Sequence, residues 1–367
     1  MGQRRQWGRR IIGLVGGLFV GLGLAELGAR LLNPYPVEEL FYGGQHIPPV
    51  GMYQFSAATI KEPTPGFDGT VHALSYKIRV RFNSLGVRGG EPSGDRKWLV
   101  VGDSFALGSQ VREEETFEVR LGSLFGVEVL NGGVDDFSTK QASIRYTELA
   151  AKVDVDTVIA LFFLGNDYID NERYARPGPR PSAAAFAASP PVTLGRRLKS
   201  FVYNRSMLVS YAHVAVQHRL SLRDDNPRGD GFREQLAIYT FPGRPRLDSL
   251  LRPTRGAFEH LRDAARERND RLLVVVAPPG FLIEPEALEK VLTQYGLPTV
   301  GTEAPLTLAL SMLDELGIPS CDLTPALTTA WMRGDRPYLR FDGHWNATGH
   351  AVAAEVIASC LRAEDQL

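Results

Sequence analysis

Four residues limit the fold of this chain more than any others. Trp98-Leu99-Val100-Val101 is an unbroken apolar run of β-forming residues, with Lys97 before it and Gly102-Asp103-Ser104 after it. A run that short, with no polar alternation, reads as a strand buried on both faces, as in a parallel sheet covered by helices on each side. The chain must then turn sharply. A serine at the carboxyl edge of such a strand stands where open α/β sheets place their chemistry. Gly, Asp and Ser are also ordinary turn formers, so the triplet alone does not assign a function.

The rest of the core follows the same rhythm. Helical patterns over Glu115–Phe125 and Lys140–Ala151 alternate with strands at Val127–Leu130 and Thr157–Leu164. Leu272–Ala277 reads as a fourth strand, Pro319–Asp322 as a short fifth, and Ala347–Leu361 as a closing helix with Asn346 as its N-cap. Strands alternating with helices imply right-handed βαβ units. The expected fold is α/β: a flavodoxin-like three-layer α/β/α sandwich with a parallel sheet of about five strands.

Before that core the chain changes character twice. Arg4, Arg5, Arg9 and Arg10 precede a charge-free run from Ile11 to Ala25. Fifteen residues of helix span only about 22 Å, so crossing a ~30 Å hydrocarbon core needs extension through Leu32, carrying Glu26 and Arg30 as an i,i+4 pair. Residues 1–32 are read as an N-terminal transmembrane signal anchor in a bacterial inner membrane. The arginines hold its start in the cytoplasm and the body lies in the periplasm. A cleaved signal peptide, with Gly23 and Ala25 as small residues at the cleavage site, is the alternative. Residues 33–96 are rich in proline and glycine, and Tyr76–Phe82 alternates, which argues for half-buried antiparallel strands in a small β-rich preface. The main domain is placed at 97–367, with an insert at about 171–255. Within that insert Pro177–Pro191 is biased to proline and alanine, and Leu194–Leu220 has helical spacing suited to a cover over the sheet edge.

Composition excludes some roles. A formal net charge of -1 gives no nucleic-acid footprint. The two cysteines, Cys321 and Cys360, make no metal-ligand spacing, and nothing calls for a cofactor or metal. Two buried free thiols are the default for them; an oxidising compartment would let them pair.

Three stretches in order carry a resemblance: Gly102-Asp103-Ser104, Gly165-Asn166-Asp167, and Phe341-Asp342-Gly343-His344-Trp345-Asn346. Together they resemble the SGNH, or GDSL-type, serine esterase and lipase superfamily, from roughly Asn83 to the end apart from the insert. Asn83-Ser84-Leu85-Gly86-Val87-Arg88-Gly89 looks like the lead-in of its membrane-anchored bacterial members. The pair is spaced Asp-x-His and followed by Trp-Asn, more like the polysaccharide-acetylating branches than the usual Asp-x-x-His.

The resemblance implies roles. Ser104 would be the nucleophile, His344 its general base, and Asp342 the carboxylate that orients the imidazole; a serine hydroxyl needs such a base within hydrogen-bond reach. The oxyanion hole would be the Ser104 backbone N–H, the Asn166 side-chain amide, and the backbone N–H of Asp136, with Gly133 as substitute if the loop register differs. Family members carry glycine where this chain has Asp136, whose carboxylate must point away from the developing charge. Asp167 is read as structural, and His350 as packing or capping. The implied activity is an extracytoplasmic serine esterase removing acyl groups, expected to be acetyl, from a glycan or lipid. Transfer of the acyl group to a polysaccharide hydroxyl, with room for a membrane acyl-donor partner, is the alternative. A non-catalytic binding protein on the same fold is the third.

Overall fold

The computed structural model describes residues 2–32, 49, 51–72, 76–93, 97–178, 182, 183, 186, 206, 208, 209, 212, 234–240, 244–284, 287–294, 296–298, 304–339 and 343–364. Most of the proline-rich run and of the 194–220 cover lie outside these residues, and so does Asp342.

The five core strands are where their apolar runs predict. In chain order, α1 is Gly2–Leu32, and two antiparallel pairs follow: β1 Tyr53–Ser56 with β2 Ile60–Pro63, and β3 Asp68–His72 with β4 Lys77–Arg81. The parallel sheet comprises β5 Lys97–Val101, β6 Glu128–Asn131, β7 Val155–Phe163, β8 Arg271–Ala277 and β9 Ser320–Asp322. Its order is β6-β5-β7-β8-β9. That is the flavodoxin arrangement 2-1-3-4-5, in which the direction of winding reverses beside the first strand and opens a crevice at the carboxyl edge.

Side chains of alternate strand residues enter opposite cores, as a period of two requires. Leu99, Val101, Val158, Phe162 and Val276 point to one face, covered by α4 Thr139–Ala150, α5 Asp167–Ala175, α6 Arg244–Arg268 and α9 Ala304–Glu315. Trp98, Val100, Ile159, Leu161 and Val275 point to the other, covered by α3 Phe117–Phe125, α10 Thr324–Met332 and α11 Ala347–Glu364. Three further short helices are α2 Ser104–Leu107, α7 Gly280–Ile283 and α8 Ala287–Gln294. Asn346 caps α11 as its position predicts, its Oδ1 accepting from the N–H groups of Thr348 and Gly349 at 2.9 and 3.1 Å.

The β-rich preface is fastened to the sandwich by the motif that ends it. Asn83 Oδ1 accepts from the Leu85 and Val87 N–H groups, holding the turn. Arg88 then reaches inward, buried, and donates to the carbonyls of Leu107, Gly108 and Val111. A guanidinium on the last carbonyls of α2 satisfies acceptors that the helix itself leaves open.

One expectation needs correction, and a second finds no support. Cys321 and Cys360 are joined as a disulfide rather than free, because β9 and the last turns of α11 pack side by side on the same face of the sheet. And although α1 runs for 31 residues, among the described residues no helix is long and apolar enough to cross a membrane. Its charge-free run is short and five of its residues are glycines. The described apolar side chains of α1, from Leu14 to Leu31, stand exposed. The Arg30 side chain of the expected Glu26–Arg30 pair lies outside what the structure describes; Glu26 accepts from Ser206 Oγ at 2.8 Å and the Leu208 N–H at 3.0 Å.

Candidate active site

Ser104 opens α2 directly after β5 and Asn166 caps α5 directly after β7, so the two residues flank the crevice where the sheet changes direction. Asp103 shapes the turn: its carboxylate accepts from the Phe105 N–H at 2.9 Å, taking one of the donors a helix start leaves unpaired. His344 arrives from the loop before α11, and its Nε2 lies 2.7 Å from Ser104 Oγ. The imidazole packs over the Phe105 ring, with centroids 4.6 Å apart. Trp345, fully buried, packs edge-on to Phe105 and Phe117, which fixes the loop's position. Ser104 and His344, 240 residues apart in sequence, therefore meet as a nucleophile and base must. Asp342 lies outside the described residues.

The second loop, after β6, sits hard against α2. A Cβ on Gly133 would lie 2.2 Å from the Leu107 nitrogen, so only glycine permits this approach. Asn131 stitches the two together: its Nδ2 donates to the Ala106 carbonyl at 2.9 Å while its Oδ1 accepts from the Gly133 N–H at 3.1 Å. The Gly133 N–H is thus already engaged and is not the substitute oxyanion donor. Three residues on, Phe137 N–H donates to the Val134 carbonyl across a turn in which Asp136 has φ +57°. Aspartate tolerates this left-handed backbone, and glycine adopts it without strain, which explains the residue type the resemblance leads one to expect there. The Asp136 carboxylate does point outward: its side chain is 86% exposed and pairs with Lys61 Nζ at 2.7 Å.

Asn166 is oriented by a neighbour that sequence reading missed. Its Nδ2 donates to Asp170 Oδ2 one helical turn away, and Arg173 Nη1 pairs with Asp170 Oδ1 at 3.0 Å. The i,i+4 and i,i+3 spacings were visible in the sequence, but many helices carry such pairs. Asp167 is structural as read, accepting from the Phe163 N–H at 2.8 Å. Burial pushes both Asp103 and Asp167 up from the carboxylate range; charge on Asp103 raises Asp167 further, and charge on Asp170 and Asp135 raises Asp103. Asp170 is raised by burial as well, offset by its bonds to Asn166 and Arg173. The ground beneath the nucleophile is thus rich in carboxyl groups that burial pushes toward the neutral form. His350 also behaves as read. It is buried, its Nδ1 accepts from the Phe117 N–H, and burial lowers it to about 3, helped by the charges of Arg88 and Arg120.

A serine hydroxyl bonded to an imidazole, beside a side-chain amide and a loop turn at the edge of a parallel sheet, can support acyl transfer. Residues 244–367, which include His344, match the model of the SGNH hydrolase-like domain of acetyltransferase AlgX. Among curated proteins no sequence matches. Solved structures similar to the chain include an acetyl xylan esterase, AlAXEase, at 10% identity, covering 72% of this chain and 99% of that one with a TM-score of 0.40. A GDSL-like lipase from Bacteroides thetaiotaomicron VPI-5482 is 10% identical, covering 74% and 90% with a TM-score of 0.36. A two-domain esterase active on acetylated mannans, CEX, is 13% identical, covering 73% and 50% with a TM-score of 0.38. Resemblances this remote carry no weight for function. Residues 244–367 are thus similar to an SGNH hydrolase-like domain, and the sheet to which they contribute β8 and β9 has the 2-1-3-4-5 order of a flavodoxin-like sandwich.

Proposed function

We propose that this protein is an extracytoplasmic serine esterase that removes acyl groups, chiefly acetyl, from a glycan or lipid through an acyl-Ser104 intermediate. The observation that carries this reading is the 2.7 Å contact between Ser104 Oγ and His344 Nε2. In the first half-reaction Ser104 Oγ attacks the ester carbonyl as its proton passes to His344 Nε2. The oxyanion takes bonds from the Ser104 N–H, the Asp136 N–H and the Asn166 amide. Collapse breaks the bond to the leaving oxygen, which receives the proton from His344. Water, deprotonated by the same imidazole, then releases the acyl group as the free acid and restores Ser104. Asp342, two residues before His344, is assigned the task of holding the imidazole in the tautomer that leaves Nε2 free to accept.

A second reading replaces water by a polysaccharide hydroxyl in that last step, making the protein an O-acyltransferase. The match of residues 244–367 to an acetyltransferase domain favours it. An extracytoplasmic location is supported by the Cys321–Cys360 disulfide, since such bonds persist in oxidising compartments. The exposed apolar side chains of α1 support association with a membrane.

The test uses the full chain and an aryl acetate. Ser104→Ala and His344→Ala should each remove most turnover, and the double variant should be little worse than either, because parts of one machine do not lose activity additively. A fluorophosphonate should label Ser104. Phenol release that accelerates on adding a polysaccharide, with acetyl recovered on the polymer, selects the transferase. Folded protein with neither turnover nor labelling would leave a binding protein as the function.

A further inference from the structure

The preface reaches the candidate oxyanion hole, and this gives one of its lysines a task. Lys61 is held firmly. The β1–β2 hairpin docks on α4 through Gln141 Nε2, which donates to the Thr59 carbonyl at 2.7 Å. It docks on α5 through Tyr174 Oη, which donates to the Ala58 carbonyl at 2.5 Å. From that platform Tyr53 Oη donates to Asp135 Oδ2 at 2.6 Å, and Lys61 Nζ stands 4.9 Å from the Tyr53 ring centre and 2.7 Å from Asp136 Oδ2. The lysine side chain is only 19% exposed, so it is no freely swinging surface charge.

The surroundings explain the need. Asp103, Asp135, Asp136, Asp167 and Asp170 cluster near the nucleophile turn closely enough to act on one another. Asp170 has Arg173, and burial favours the neutral form of Asp103 and Asp167. Asp136 is the outward-facing member, in the turn whose backbone N–H is assigned to the oxyanion. An uncompensated carboxylate there would oppose the charge that forms in the transition state.

Resting on the esterase or transferase reading above, we propose that Lys61 is a positioning residue for the reaction. Its ammonium neutralises Asp136 and holds that side chain away from the oxyanion, so that an aspartate can serve where a glycine would otherwise be required. The β1–β2 hairpin is then part of the active site rather than a surface decoration.

The experiment is a double-mutant cycle in the full chain, read as kcat and KM on p-nitrophenyl acetate. A unit charge one side chain away from a developing oxyanion, half-screened by solvent, is worth about tenfold in rate. Lys61→Met should therefore lower kcat about tenfold with KM nearly constant, and Lys61→Arg should restore most of the loss. In an Asp136→Asn background, which removes the charge but keeps a residue that tolerates the turn, Lys61→Met should cost no more than about twofold. Should Lys61→Met fail to fold by circular dichroism, Lys61→Gln removes the charge and keeps the stem. Equal losses in both backgrounds overturn this inference alone, as does an effect confined to KM, which would make Lys61 a substrate contact. Wild-type protein that neither turns over the ester nor accepts a fluorophosphonate on Ser104 overturns the reading beneath it as well.

Discussion

Replacing Gly133 by alanine tests whether the loop after β6 and the nucleophile helix are machined to fit. The alanine Cβ would stand 2.2 Å from the Leu107 nitrogen, 2.6 Å from the Ala106 carbonyl carbon and 2.8 Å from the Leu107 Cα. All three neighbours are backbone, so no rotamer change relieves the clash. Ordinary contact begins near 3.4 Å, and a gap of about 1.2 Å must open between loop and helix. Helix α2 has only four residues and starts at Ser104, so that displacement is delivered to the nucleophile. The Ser104–His344 contact of 2.7 Å cannot absorb it and remain a hydrogen bond. We expect kcat on an aryl acetate to fall about 10²-fold, the size associated with an ångström of misplacement, and stability to fall by about 1–3 kcal/mol from overpacking. Gly256 provides the control. It lies inside α6 with nothing within 4 Å of a built Cβ, and alanine there should stabilise by about 0.5–1 kcal/mol. Turnover, fluorophosphonate labelling and urea denaturation are measured on both variants. A Gly133→Ala protein that labels and turns over like wild type would show that α2 is not held by this loop.

Two further outcomes concern stability. His350 is lowered to about 3 by burial, so the folded state excludes a proton that the unfolded state binds below about 6.5. Its contribution is present above pH 6.5 and is lost as pH falls toward 3. The slope is up to about 1.4 kcal/mol per pH unit, and His350→Gln should flatten that part of the urea-midpoint profile. Cys321 and Cys360 close a loop of sequence separation 39. Chain-entropy reasoning assigns that closure about 4 kcal/mol, so Cys321→Ser/Cys360→Ser should lower the urea midpoint, and reductant should do the same to wild type but not to the variant.

The sheet was legible because its three central strands, β5, β7 and β8, are largely apolar on both faces, and such runs have few other uses. Lys97–Val101 and Arg271–Ala277 differ from their sequence readings by one residue at most. The Ser104–His344 pairing was legible for a different reason: the residue types and their order resemble a known arrangement, and the topology had only to bring them to one edge. What stayed hidden depends on contact between distant segments. Nothing near Lys61 announces a carboxylate 75 residues away. Cys321 and Cys360 carry no spacing signal, because their meeting depends on which face of the sheet α11 covers. The two hydrogen bonds by which Asn131 joins α2 to Gly133 appear only once the loop is folded back.

Arg88 gives the last consequence. It belongs by pattern to the preface, yet its guanidinium closes the far end of the helix that Ser104 begins. A chain cut at residue 96 would keep every element of the sandwich and lose that clasp, taking the Arg88 donor from the Val111 carbonyl and one of two donors from each of the Leu107 and Gly108 carbonyls. Such a fragment would misreport the protein while looking complete. The preface and the sandwich are therefore one folding unit, and the short strands that precede the sheet cannot be trimmed without loosening the helix that carries the nucleophile.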